Sequence, residues 1–321
     1  MMPVPACTDE EFMELWRSHD GSAEKVASVL GIGAREVYRR RRRLEQRHRL
    51  PLASDDRRGE HYAHLSTREH KARHEMEVQN GVVIVFSDAH FWPGVRTTAF
   101  RGLLKMIEAL KPAAVINNGD AFDGASVSRH ARIMWQSTPS VVDELKACTQ
   151  RLCEVEDASG KAKLIWPLGN HDARFETRLS QNAPEYQGVK GFHLKDHFPR
   201  WTPCWSTWIN GDVVVKHRWH NGVHAVRNNI AKGGKTMVTG HLHSLKVTPL
   251  SDYNGTRFGV DTGTLADPSG PQFQDYLEDG PTDWRSGFAV LTFWKGRLLW
   301  PEVVNVIGQN EIEFRGQVMK V

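Results

Sequence analysis

Short continuous runs of β-branched and aliphatic residues recur along the chain and stop abruptly at polar residues. Residues 82–86 read Val-Val-Ile-Val-Phe and end in Ser87-Asp88-Ala89-His90. Runs of this kind suit parallel strands buried on both faces. A second covers 113–116 and leads into Asn118-Gly119-Asp120-Ala121-Phe122-Asp123; a third, 164–168, stops at Gly169-Asn170-His171-Asp172. Between them apolar residues return at helical spacing: Phe100, Leu103, Leu104, Ile107 and Leu110 form one stripe, and Val141, Leu145, Cys148 and Leu152 another, over 141–155. This alternation predicts an α/β domain built on a parallel sheet. Farther on, strands are expected over 213–215, ending at Lys216-His217, and near 237–238, ending at Gly240-His241-Leu242-His243. A helix lies between these two over 223–231. Strands over 257–262, 288–293 and, past a Lys295-Gly296 turn, 298–304 follow.

The first fifty residues have a different pattern. Thr8 with Glu11 is a capping-box signal for a helix carrying Phe12, Leu15 and Trp16 on one face. Asp20-Gly21 breaks it. Ser22 caps a second helix over 23–30, with Val26, Val29 and Leu30 inward, and Gly31-Ile32-Gly33 turns into a third from Ala34 to at least Leu44. Two short helices joined by a glycine turn, the second rich in arginine, predict a small all-α helix-turn-helix module over 1–50. Arg35 and Tyr38 then open the recognition helix, and Arg39, Arg40, Arg41, Arg42 and Arg43 reach phosphates. A solvated or protein-docking face is the alternative. Residues 51–81 are polar, with His61, His64, His70 and His74, and read as a linker, helical around 67–77. The remainder, 82–321, is the second domain.

Composition adds bounds. At 321 residues, 40% hydrophobic and 25% charged, the chain is long enough for one large domain and an appendage. The net charge of +4 is small, but eight arginines fall within residues 31–50, against a net acidic stretch before them. No apolar run approaches a membrane span, and residues 1–7 have no signal-peptide pattern, so a cytoplasmic protein without membrane attachment is expected. Cys7, Cys148, Cys153 and Cys204 form no CxxC pair and are expected as reduced thiols, two of them on one face of the helix over 141–155.

The chemistry lies at the strand ends. Five strands end in residues that bind metals: Asp88 and His90; Asp120; Asn170 and His171; His217; His241 and His243. Imidazole with carboxylate suits Mn, Fe or Zn, and the absence of thiolates argues against a structural Cys-rich zinc site. In Asp-x-His and His-x-His, the alternation of an extended chain is expected to send both side chains the same way. A bridging carboxylate such as Asp120 suits two cations clamping a phosphoryl displacement. An amide such as Asn170 completes a shell without repelling phosphate.

As an ordered set, Asp88-Ala89-His90, Gly119-Asp120-Ala121-Phe122-Asp123, Gly169-Asn170-His171-Asp172, His217 and Gly240-His241-Leu242-His243 resemble the motifs of calcineurin-like metallophosphoesterases, over roughly 82–304. The resemblance implies a two-sheet sandwich flanked by helices, with two divalent ions at the strand ends, manganese first and Fe, Zn or Ni as substitutes. It implies that Asp88, His90 and His243 hold one ion, that Asn170, His217 and His241 hold the other, and that Asp120 bridges them. A hydroxide between the ions attacks phosphorus. His171 protonates the leaving oxygen or steadies the transition state, Asp172 orients it, and Asp123 supports the metal shell. At the fourth motif the family's His-Gly is replaced by His217-Arg218-Trp219-His220, which leaves His220 as an alternative ligand.

Asp123-Gly124 and GNHD lie closer to the phosphodiesterase and nuclease branches than to the protein phosphatases. With the basic module in front, the whole resembles phage- or prophage-encoded proteins and implies DNA as substrate. A small-substrate phosphatase or cyclic-nucleotide phosphodiesterase is the enzymatic alternative, and a DNA-binding protein with a vestigial phosphoesterase fold is the non-enzymatic one. Arg129, His130, Arg132 and Arg174 follow motifs closely and either neutralise a phosphate backbone or form ordinary surface ion pairs.

Overall fold

The computed structural model describes residues 7–48, 52, 70–129, 135, 137–274 and 280–321. The chain divides into two compact units, residues 1–69 and 70–321. In the first, α1 (Asp9–Ser18) opens with both halves of the Thr8/Glu11 capping box, and α2 (Ala23–Leu30) ends at a left-handed Gly31 before α3 (Ala34–His48). Phe12, Trp16, Val26, Val37 and Leu44 are its buried core. Val29, expected inward, is 56% exposed, because Ala23, Val26 and Ala27 already fill the inward face of α2.

The second unit begins with strand β1 (His74–Met76) inside the expected linker, where a helix was expected. His74 cannot share a helical face with His70, because this stretch pairs in parallel with β6 (Thr207–Ile209). Residues 53–69, with His61 and His64, lie outside the described residues.

β2 (Gly81–Phe86), β3 (Ala114–Asn117), β4 (Lys163–Pro167) and β5 (Thr202–Cys204) are parallel neighbours. Helices α4 (Thr98–Leu110) and α5 (Val141–Ser159) make the first two crossovers. β11 (Gly287–Trp294) joins β2 antiparallel and carries β12 (Arg297–Leu298) and β13 (Glu302–Gly308), followed by β14 (Glu311–Phe314) and β15 (Gln317–Lys320). The second sheet has the order β1, β6, β7 (Val213–Val215), β8 (Thr236–Thr239), β10 (Gly255–Asp261), β9 (Lys246–Asp252). Helices α6 (Asp172–Asn182) and α7 (Leu194–His197) follow β4, and α8 (Ala225–Gly233) joins β7 to β8.

Two cores hold these layers. Val83 and Val85 of β2, with Ile116, Val215, Val238 and Leu291, pack between the sheets. Ile84 and Phe86 point the other way, against Phe100, Leu103 and Leu152 of α4 and α5. The period-2 alternation of one strand therefore feeds both cores, which is why its sequence is continuously apolar. Ile230 of α8 packs on the outer face of the second sheet against Val214 and Met237. The result is a mixed α/β two-sheet sandwich flanked by helices. On α5 Cys148 is buried and Cys153 exposed, so they do not share a face; five residues separate them by about 140° of rotation. No helix among the described residues is long and apolar enough to cross a membrane.

Candidate metal centre

The parallel strands β2, β3 and β4 release their carboxyl ends on one side of the larger sheet, and β7 and β8 do the same in the smaller one. The backbone ties these ends together. Asp88 N donates to Gly119 O and His90 N to Asp120 O, each at 2.9 Å, and Gly240 N to His217 O at 2.9 Å. His241 N donates to Asp88 Oδ2 at 2.8 Å.

Five residues here have positive φ: Asp88 at 52°, His90 at 40°, Asp120 at 56°, His241 at 73° and His243 at 57°. A left-handed non-glycine residue is uncommon and costs on the order of 1–3 kcal/mol, held only where its surroundings impose it. Both short motifs therefore lie beyond their strands, which end at Phe86 and Thr239. The expectation that strand alternation aligns their side chains is corrected. His243 falls with Asp88 and His90, whereas His241 falls with Asp120 and His217, in two groups whose ligand atoms lie within 4.8 Å of one another. Gly169 makes the close approach feasible, since a Cβ there would sit 2.0 Å from Asp120 Oδ1.

The donors fit divalent ions. Asp88 Oδ1, His90 Nε2, Asn170 Oδ1 and His217 Nε2 are buried without a hydrogen-bond partner among the described residues. Buried polar atoms are rarely left so. His90 Nδ1 is held by Asp123 Oδ1 at 2.7 Å and His217 Nδ1 by Asn118 O at 2.8 Å, leaving each Nε2 facing the group. Metal-binding histidines are ordinarily oriented in this manner. His217 Nε2 lies 3.0 Å from Asp120 Oδ2 yet forms no hydrogen bond of good geometry. His220 is elsewhere, its backbone N and Nδ1 meeting Asn229 Oδ1 at 3.1 and 3.0 Å.

His171 is fixed differently from expectation. Its Nδ1 meets Asp123 O at 2.9 Å and Asp123 Oδ1 at 3.0 Å. Asp172 does not orient it. As the first residue of α6, Asp172 points into the protein and accepts five hydrogen bonds, from the backbone N–H of Asp120, Ala121, Phe122 and Gly169 and from Trp166 Nε1. It knits the loops after β3 and β4 together, and adjacency in sequence concealed that role. His171 Nε2 receives Arg174 Nη2 at 3.0 Å. Glu144, from α5, accepts from Gly124 N and Ala125 N at 3.0 Å each and anchors the loop carrying Asp123. Sequence reasoning gave Glu144 no role; a single acid on a helix carries no local signal.

Electrostatics follow from this crowding. Burial opposes ionisation of Asp88, but His243 and His217 outweigh it and hold the carboxyl at about 2. Burial likewise opposes a charged His217, and Asp120 and Asp88 overcome it, lifting that imidazole to about 10. Burial and the nearby His217 push His241 down to about 4. Burial and the charge of Asp120 raise Asp172, against its backbone donors. Burial and Asp123 push Glu144 up to about 8.

In the first unit the arginines divide. Arg40 turns back to Cys7 O and Asp9 and lies 4.9 Å over Phe12; Arg41 bonds Glu45 at 3.1 Å and lies 5.2 Å over Trp16. Neither is directed at an outside phosphate as expected. Successive helical residues are about 100° apart, so five in a row cannot share a face. Arg35, Tyr38, Arg39, Arg42 and Arg43 are exposed. His130 and Arg132 lie outside the described residues.

A model described as calcineurin-like phosphoesterase matches residues 81–284. The Gene 54 protein of Mycobacterium phage L5 is 24% identical over 261 residues, 74% of this chain and 98% of that protein. Among solved structures, an archaeal phosphodiesterase matches at 16% identity and TM-score 0.37, covering 69% of this chain and 99% of its own. A protein serine/threonine phosphatase from Saccharomyces cerevisiae matches at 12% identity and TM-score 0.37, over 75% and 86%. The E. coli phosphoesterase Yfce matches at 15% identity and TM-score 0.33, over 68% and 97%.

Proposed function

Because the chain belongs to the calcineurin-like phosphoesterase family, whose members are dimetal-dependent hydrolases, we propose that this phosphoric ester hydrolase is a phosphodiesterase acting on DNA. The observation that carries the reading is the pair of ligand groups, Asp88/His90/His243 and Asp120/His217/His241, with buried donor atoms left unpartnered around them. In this reading Asp88, His90 and His243 would hold one divalent ion and Asn170, His217 and His241 the other, Asp120 would serve both, and manganese would be the working metal. Two such ions supply Lewis-acid activation of the phosphoryl group and a more acidic water. His171, which clusters with His90 and Asp123, lies outside both of these ligand sets and is held through Nδ1 by Asp123, so Nε2, where Arg174 now donates, is the ring atom that would carry a proton to the leaving oxygen.

DNA is favoured over small esters by the first unit. The short turn between α2 and α3 supports a helix-turn-helix reading, and Arg35, Tyr38, Arg39, Arg42 and Arg43 offer exposed cations and an aromatic ring from α3. A tethered DNA-binding module raises the effective concentration of substrate for a catalytic domain.

The test is a substrate panel with the manganese-loaded full chain: a phosphomonoester, a phosphodiester, a cyclic nucleotide, and single- and double-stranded DNA. DNA cleavage is expected, and Asp120→Asn should abolish it. Hydrolysis of monoesters or cyclic nucleotides with every DNA untouched would replace the nuclease reading with the small-substrate one.

A further inference from the structure

Arg174 lies on the first turns of α6, two residues past the GNHD motif. It is half-buried, and its guanidinium donates to Asp123 O and to His171 Nε2, each at 3.0 Å. Neither acceptor is charged at the contacting atom, and no described carboxylate forms an ion pair with it. A guanidinium makes its strongest contacts directly to a carboxylate or phosphate, two oxygens matching its planar fork. Arg174 is also held close over the loop: a Cβ on Gly124 would meet its Cβ and Cδ at 3.2 Å. Burial disfavours its charge, the nearby carboxylates of Asp123, Asp120 and Glu144 favour it without touching the guanidinium, and the exposed Arg129 opposes it.

The contact with His171 fixes a tautomer. A guanidinium has only donors, so Nε2 accepts and the ring proton sits on Nδ1, toward Asp123. Asp120 and Asp123 do favour a charged His171 against burial, but an imidazolium would set two donors against each other at 3.0 Å. While Arg174 is there, Nε2 is covered.

We propose that Arg174 is an anion-binding residue that takes a non-bridging oxygen of the substrate's phosphate group, and that it caps His171 Nε2 until that oxygen draws it away. The inference rests on the phosphoester-hydrolase reading and adds the residue that recognises the phosphate. It gives the guanidinium the direct charge-assisted contact that its present acceptors, a carbonyl and an imidazole nitrogen, do not supply. It also couples binding to chemistry: once uncovered, Nε2 can take a proton from water while Nδ1–H stays on Asp123, and then pass that proton to the leaving oxygen.

The test uses the full chain loaded with manganese, with inorganic phosphate as the probe in calorimetry and bis-p-nitrophenyl phosphate in kinetics. Arg174→Ala should weaken phosphate binding by about tenfold or more, the range for losing a charge-assisted hydrogen bond. Its KM should rise by a similar factor while kcat falls much less, and added guanidinium chloride should restore part of the loss. Arg174→Lys, which keeps the charge and most of the packing, should fall between. Metal content should stay at the wild-type value in both. Phosphate affinity within twofold of wild type in Arg174→Ala, with kcat alone reduced, would overturn the proposal and leave Arg174 as a prop for His171. If wild type hydrolyses no ester, the hydrolase reading fails, and the phosphate titration still decides the role of Arg174.

Discussion

His171 and Asp172 are neighbours in sequence and serve different ends. The histidine, one-fifth exposed, is held by Asp123 on the surface of the site; the aspartate is buried beneath it with five donors on its two oxygens. Their replacements should therefore separate. His171→Ala is expected to keep both metals, measured by mass spectrometry, and to lose turnover by roughly a hundredfold or more, the usual worth of a positioned proton donor. Asp172→Ala leaves buried N–H groups unpaired at about 1–3 kcal/mol each, so its thermal midpoint should drop and its metals with it. A His171→Ala protein stripped of metal would mean that His171 is a ligand. At this scale the ligand types were legible, because an acid or imidazole closing an apolar run stands out in any sequence. The partner of His171 was not. Asp123 lies 48 positions away, and only the folded loops bring it to the ring.

Elements differ in how openly they declare themselves. β2 and β7 are readable because both faces are buried and every residue is apolar. β1, β5 and β6 are three residues each, too short for any period, and at the margin of the larger sheet β14 alternates polar and apolar residues over only four positions while β15 does not alternate. α6 buries only Asp172 and Phe175, so it has no apolar stripe to find. α5 was legible as an amphipathic helix, but not that its fully buried Glu144 anchors the Asp123 loop. That carboxyl has an ordinary value of 4.5 and is pushed up to about 8 by burial and by Asp123. The fold thus favours the protonated form. Glu144 stabilises most below its unfolded value, and the contribution is lost as pH rises through its folded one. Between about pH 5 and 8.5 the thermal midpoint of wild type should fall, and Glu144→Gln should flatten that decline. Parallel melting curves for the two proteins over this window would refute the assignment.

For the whole molecule, the sequence divides where its chemistry does, with arginine packed into one short helix and the candidate metal ligands spread over residues 88–243 of the other unit. The compact units divide between residues 69 and 70, inside the expected linker over 51–81. β1 belongs with the second unit although two of its three residues are polar, because it pairs with β6 through its backbone and buries only Met76. If α3 carries the DNA contacts, only its outward cations matter. Arg35, Arg39 and Arg42 recur at four- and three-residue steps and share an exposed face, while Arg40 and Arg41 brace α1. Each phosphate contact releases counterions and adds about 0.9 to the slope of log affinity against log salt. Replacing Arg35, Arg39 and Arg42 with alanine in the full chain should therefore lower that slope by about 2–3 and weaken DNA binding most at low salt. Hydrolysis of bis-p-nitrophenyl phosphate should be unchanged, since that ester needs only the second unit's site. Arg40→Ala and Arg41→Ala should instead lower thermal stability. An unaltered salt slope in the triple variant would leave α3 as a docking or solvated face and remove the ground for choosing DNA over a small ester.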